Sequence, residues 1–216
     1  MKKILLTCAA LAAISAASGQ TLQVNISKGA PNALPGGEFE IKALGATSAW
    51  SAIGVNRTTW DSFCLEFDET ISYTPGNYFV ELDTGAKLGG QGGATAGVDP
   101  LSKGTAWLFR QHWNLNGATG NIGSAEYDVN DNSDAKELQY AIWWLEDESG
   151  ESPYLIGNQS TGNKFIDAAV ASPHFADAAS MKADASDYEF GVGVLNLWTQ
   201  DPAGQNFNAS QHLAQS

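Results

Sequence analysis

Apolar and polar residues alternate along four segments in the first part of the chain, a pattern typical of strands with one buried face. The segments are 22–26, 39–42, 62–67 and 78–82. The last of them follows the turn signal Thr-Pro-Gly-Asn at 74–77. The alternation therefore predicts that the chain begins as a β structure.

From residue 99 the apolar positions recur at the spacing of amphipathic helices. Residues 99–102, Asp-Pro-Leu-Ser, form a helix-start signature ahead of a predicted helix over 105–113. A second helix is predicted to start near Ser133 and Asp134. Two shorter helices are predicted over 162–171 and 173–183, and an apolar strand over 188–198.

These two periods predict an α+β fold, a β-sandwich or barrel-like domain with an inserted helical subdomain. We expect a single domain over 20–216, with its β part at about 21–98 and 186–200 and the helical insertion at about 99–184. The segment 85–97 contains six glycines without a phosphate-loop motif, and we interpret it as a mobile loop or linker.

The first 19 residues have the pattern of a secretory signal peptide. Lys2 and Lys3 precede an apolar run over 4–14, and small residues fill 15–19, where a signal peptidase cuts. The run is too short to anchor the chain in a bilayer, so we expect no membrane insertion of the mature protein. The predicted location is secreted or extracellular, with association at the cell surface as one option.

The net charge and the cysteine content limit which partners the protein can bind and which reactions its thiol can undergo. The formal net charge of −13 opposes binding to nucleic acid. Cys8 leaves with the signal peptide, so Cys64 is the single cysteine expected in the mature chain and cannot form an internal disulfide. Its thiol is either buried and inert, paired with another chain, or committed to a different reaction.

Conventional catalytic and metal-binding patterns are scarce, and we expect neither an enzyme nor a cofactor. The histidines His112, His174 and His212 form no zinc-ligand spacing, and a Cys64–His112 hydrolase dyad has no accompanying motif. Residues 128–134 resemble the start of a calcium loop. Ser133 and Gln139 stand where such a loop needs Gly and Glu, so we predict no metal site there.

Cys64 and a later glutamine motif carry a resemblance to a known family. The sequence has Phe-Cys-Leu-Glu at 63–66 and, 75 residues after the cysteine, Gln-Tyr-Ala-Ile-Trp at 139–143. This resembles bacterial surface thioester domains of the kind found in exported PEP-CTERM-class proteins, with Leu138 at the position of the family's threonine. The resemblance covers roughly residues 55–200. It implies a thioester crosslink between Cys64 and Gln139, shielded from water by the aromatic residues Phe63, Tyr140, Trp143 and Trp144.

Two functions follow as competing hypotheses. In the first, the protein attaches covalently to amine-bearing surface or matrix targets, such as protein lysines, and so takes part in cell adhesion. In the second, it is a non-covalent extracellular matrix or carbohydrate-binding structural module without a thioester, with polysaccharide as its partner. The state of the Cys64 thiol distinguishes the two hypotheses.

Overall fold

A computed structural model describes residues 2–7, 22–29, 37–67, 71–74, 76–87, 98–148 and 162–200. Within them, six strands form one antiparallel sheet in the order β1-β10-β5-β2-β3-β4. These strands are β1 (Lys2–Thr7), β2 (Leu22–Lys28), β3 (Gly37–Leu44), β4 (Thr59–Phe63), β5 (Asn77–Asp83) and β10 (Val192–Trp198).

Two short hairpin ladders and five α-helices accompany this sheet in the described residues. The ladders pair β6 (Gly85–Lys87) with β7 (Val98–Pro100) and β8 (Gly120–Ile122) with β9 (Ala125–Tyr127). The helices are α1 (Thr47–Ala52), α2 (Lys103–Leu115), α3 (Asn132–Leu145), α4 (Lys164–Val170) and α5 (Ala178–Lys182), and a 3-10 turn covers Glu189–Gly191.

The α+β class predicted from the two hydrophobic periods is confirmed. The sheet curls until its edge strands β1 and β4 approach each other, but no hydrogen-bonded ladder joins them, so the barrel does not close. The strand expected over 188–198 is β10, which pairs with β5, for example Leu195 opposite Leu82. The two ends of the described chain therefore meet in one sheet around the helical segment.

Four local expectations need correction. The strand expected over 62–67 ends at Phe63, and the hairpin β8–β9 interrupts the helical insertion. Helix α1 lies inside the β part, where the alternating pattern gave no indication of it. In the glycine-rich segment Gly85–Lys87 is the strand β6, while 88–97 lie outside the described residues.

Helix starts in the insertion are set by side-chain caps. The Ser102 hydroxyl accepts a hydrogen bond from the backbone of Thr105 at 3.2 Å, and Asp131 caps α3 through Ser133. Gly104 lies where a Cβ atom would meet the side chain of Leu145 at 2.7 Å, so glycine permits the close contact of α2 with α3.

The interior divides into two hydrophobic clusters. The helical core joins α2, α3 and α4 and includes Phe63, Leu65 and Trp144. The sheet core lies on the β strands and includes Cys64 and Trp143. Burial of each large apolar side chain stabilises the fold by about 1.5–3 kcal/mol. Helix α3 contributes to both cores, so its position relative to the sheet is fixed by packing on two sides.

Strand β1 lies within the expected signal peptide, whose remaining residues, 8–19, lie outside those described. If the leader is removed, β10 loses this neighbour and becomes an edge of the sheet. We expect N-terminal sequencing of the exported protein to begin between Ser18 and Thr21, because the small residues that a peptidase needs end there. An exported chain that begins at Met1, or at a lipidated Cys8, would contradict this prediction.

Among the described helices none has the length and hydropathy needed to cross a membrane.

Candidate functional site

Cys64 and Gln139 meet where the sheet joins the helical insertion. Cys64 directly follows β4, and Gln139 lies in the second turn of α3. The Gln139 Oε1 atom accepts a hydrogen bond from the Cys64 backbone N–H at 2.8 Å. The Gln139 amide nitrogen in turn donates to the Cys64 carbonyl oxygen at 2.7 Å. The glutamine carboxamide is therefore held by the backbone of the residue that carries the thiol.

Both side chains are removed from water. Cys64 is 2 % exposed and Gln139 is fully buried. A buried amide that lacks hydrogen-bond partners costs about 1–3 kcal/mol, and the two contacts with Cys64 avoid that cost. A substitution that removes the Gln139 carboxamide would leave the buried N–H and carbonyl of Cys64 without these hydrogen bonds.

The arrangement is chemically suited to attack of the thiol on the carboxamide. The Cys64 Sγ donates to the backbone oxygen of Glu66 at 2.9 Å, which gives its proton an acceptor. Negative charge develops on Oε1 when a nucleophile adds to the carboxamide carbon, and the Cys64 N–H already points at that atom. A donor in this position, in a dry site, lowers the energy of the tetrahedral intermediate.

The four aromatic residues expected to shield the pair divide between the two cores. Tyr140 and Trp143 lie with Cys64 in the sheet core, whereas Phe63 and Trp144 belong to the helical core. All four are buried. Phe67 adds a further cover, because its ring packs edge-on against Trp143 at 4.8 Å between centroids.

The sequence pattern did not indicate Phe67 as a cover, because a strand that continued over 62–67 would put it on the face opposite Cys64. The chain leaves the strand after Phe63, so the period of two no longer applies and Phe67 packs against the sheet core instead. A strand end four residues before Phe67 has no marker in the sequence, since no Gly or Pro occurs there.

No family model, no curated protein and no solved structure matches this chain.

Three buried carboxylates lie beside the Cys64 segment. Glu66, Asp99 and Glu148 bring one oxygen each to within 4.8 Å of one another, and Glu148 also accepts from the Phe67 backbone N–H at 3.1 Å. Three carboxylates so close repel one another when all of them are ionised. Sequence reasoning did not find this group because its members are far apart in the chain.

The calcium-like segment serves as a helix start. Asp131 caps α3, and Asp134 accepts from the backbone of Asp128 at 2.7 Å. Hydrogen bonds from Asn130 and Thr119 lower the pKa of Asp128, and those from Ser133 lower the pKa of Asp131. These carboxylates are thereby engaged with backbone and hydroxyl donors.

A fourth buried acid, Glu146, connects the ends of α2 and α3. Its carboxyl group accepts from the Ser102 hydroxyl at 2.6 Å and from the Ser102 backbone at 3.2 Å. Burial raises the pKa of Glu146 to about 7, although the bonds from Ser102 act in the opposite direction. Near neutral pH this side chain therefore changes its charge inside the fold.

The histidines occupy separate places. His112 faces the Glu38 carboxylate, with its Nε2 at 3.0 Å from Oε1, and its ring packs edge-on against Phe63. The dyad considered from the sequence needs an imidazole nitrogen beside Cys64, and His112 Nε2 instead faces Glu38. His174 packs among aromatic rings, including Phe190 at 5.6 Å. His212 lies outside the described residues.

Proposed function

We propose that this chain is an exported protein that attaches covalently to amines through an internal thioester between Cys64 and Gln139. The observation that carries the proposal is the reciprocal pair of hydrogen bonds between the Gln139 carboxamide and the Cys64 backbone. The protein would act at a cell surface or in the surrounding matrix, in adhesion. It captures a target once and does not turn over.

Formation of the bond needs no reagent from outside. The Cys64 Sγ adds to the carboxamide carbon of Gln139, the new C–S bond forms, and the C–N bond breaks. Ammonia leaves with the proton that the thiol gives up. Holding the reacting groups within about 3–3.5 Å can replace a large part of the entropic barrier. The backbone contacts of Cys64 support such positioning, because they fix the carboxamide beside the residue that attacks it.

Burial supports the second requirement, that the thioester survive in water until a target arrives. A water-excluded site suppresses hydrolysis of a reactive acyl group. A target amine, such as a lysine side chain, then attacks the same carbon, forms an amide with Gln139 and returns the proton to the Cys64 sulfur. Because Cys64 and Gln139 are both buried, this step requires the target to open or displace part of the aromatic cover.

Methylamine provides a direct test. We expect a maleimide reagent to leave Cys64 unlabelled in freshly denatured protein, where burial no longer protects a thiol. Pretreatment with methylamine should make Cys64 reactive and place one methylamine on Gln139, detectable by peptide mapping. Gln111, on α2, is the internal control and should remain unmodified.

The Cys64→Ala variant should incorporate no methylamine. Labelling of Cys64 immediately after denaturation, in protein never exposed to an amine, would contradict the proposal. The function would then be the non-covalent one.

A further inference from the structure

A cleft of about 270 Å³ opens beside β4. Its wall is formed by Trp60 and Asp61 of β4, by His112 and Trp113 near the end of α2, and by Arg57 from the preceding loop. Nothing in the proposed thioester chemistry uses these residues. The strand β4 leads from this cleft to Cys64, but Cys64 is not part of its wall.

One residue of the cleft wall, His112, belongs to a buried polar network. Glu38 is 2 % exposed, faces His112 Nε2 at 3.0 Å, and accepts from the Tyr127 hydroxyl at 3.1 Å. Burial and the neighbouring Glu38 raise the pKa of Asp61 to about 6, while His112 has the opposite effect. Burying several charged groups costs free energy unless the groups are paired and hydrogen-bonded. The contact with Glu38 holds His112 in place at the wall of the cleft, which Asp61 also lines.

The wall presents both donors and acceptors. The Arg57 guanidinium lies over the Trp113 ring at 4.1 Å and donates to the Trp113 backbone oxygen at 3.1 Å. Those contacts fix its orientation and leave other N–H groups for a ligand. Asp61 and Glu40 supply carboxylate acceptors in the same cleft.

Two buried polar atoms in this wall have no hydrogen-bond partner among the described residues, Trp60 Nε1 and His112 Nδ1. The indole N–H is a donor. Both atoms are closed off from solvent, so a ligand in the cleft would meet the polar groups of Arg57, Asp61 and Glu40 instead.

These features select a neutral, hydroxyl-rich ligand. A phosphate or carboxylate would meet Glu40 and Asp61 in a chain of net charge −13. An ammonium group has donors only, so it cannot accept from Arg57 and would meet the fixed charge of that side chain. A sugar hydroxyl both donates and accepts. The volume of about 270 Å³ lies just below the range of roughly 300–1,000 Å³ found for drug-sized ligands, which suits a single sugar ring.

We propose that this cleft binds one neutral sugar unit, as the protein's contact with a polysaccharide. Arg57 donates to ring or hydroxyl oxygens, and Asp61 accepts from hydroxyl groups. The site acts without covalent chemistry, so the proposal stands independently of the thioester.

Ligand-observed NMR with the whole chain tests the cleft. The probes are glucose, galactose, mannose and N-acetylglucosamine, each at millimolar concentration, with lysine amide and inorganic phosphate as ionic comparisons. We expect saturation transfer to at least one sugar and none to lysine amide, and phosphate, which has no carbon-bound protons to observe, should not displace the bound sugar. Asp61→Asn and Arg57→Ala should each weaken sugar binding about tenfold, because each removes a charge-assisted hydrogen bond. The matched control Asp187→Asn, which changes an exposed carboxylate on a loop, should bind like the parent.

If no sugar binds, or if binding survives both Asp61→Asn and Arg57→Ala, the proposal is wrong. Saturation transfer to lysine amide or displacement by phosphate would also overturn it, since the cleft would then be an ion site.

Discussion

Replacing Gln139 with alanine is expected to lower the free energy of unfolding by about 3–5 kcal/mol. The substitution leaves the Cys64 N–H buried without the Oε1 acceptor that it has now, and it opens a cavity beside the sheet core. It also removes the proposed crosslink. Urea denaturation followed by tryptophan fluorescence measures the change.

A comparison with Cys64→Ala separates the hydrogen bonds from the covalent bond. That variant keeps both backbone groups that hold Gln139, so only the crosslink and a small side chain are lost. A bond that links residues 75 positions apart stabilises a fold by about 4 kcal/mol in the chain-entropy model. If the thioester is formed, Cys64→Ala is therefore also expected to be strongly destabilised.

The control Gln111→Ala changes a partly exposed glutamine on α2 and should shift stability by no more than about 0.5 kcal/mol. Equal stabilities for Gln139→Ala and Gln111→Ala would contradict a role for the Cys64–Gln139 contact in holding the fold together.

A second large effect is expected at Glu146, in the dependence of stability on pH. Its pKa rises from an ordinary value of 4.5 to about 7 in the folded protein, because burial disfavours the charge. The folded state therefore binds the proton more tightly than the unfolded state. The contribution of this group to stability falls as the pH rises from about 4.5 to 7 and is constant on either side.

Glu146→Gln removes this titration while keeping an acceptor for Ser102. Near pH 4 the variant and the parent should have similar stability. At pH 8 the variant should be more stable by about 3 kcal/mol, since 1 pKa unit corresponds to about 1.4 kcal/mol. The pKa of Asp61 is also raised, so Asp61 makes the stability of both proteins fall with rising pH. The quantity to compare is therefore the difference in free energy of unfolding between the variant and the parent.

Thermal or urea unfolding at several pH values measures this difference. Glu126→Gln, an exposed glutamate on β9, is the matched control and should follow the parent at every pH. A difference between Glu146→Gln and the parent that does not change between pH 4 and pH 8 would rule out the buried titration.

The hydrophobic periods predicted the α+β class and most of the elements because they report which side of each element is buried. The helix over 103–115 and the strand at 192–198 were found in this way. The period gave no warning that β4 ends at Phe63, and so Phe67 was placed on the wrong side of the chain. Where a regular element stops is decided by tertiary packing that a local pattern does not contain.

The candidate site was predictable only in part for a related reason. Cys64 and Gln139 were singled out by their resemblance to a known motif, and the structure brings them within hydrogen-bond distance. The contact between Glu38 and His112 joins residues 74 positions apart, and no local motif marks either one. Buried polar pairs of this kind depend on the topology of the sheet and helices. The sequence pattern predicts the fold class but not that topology.

The intact mass of the mature protein, purified and denatured without any added amine, tests the thioester most directly. Closure of the bond between Cys64 and Gln139 expels one ammonia, so the account predicts a mass lower than that of the sequence by one ammonia. The Cys64→Ala protein, prepared in parallel, should show its full sequence mass. A mature parent protein at full sequence mass, with Cys64 reactive to a thiol reagent once denatured, would contradict the account.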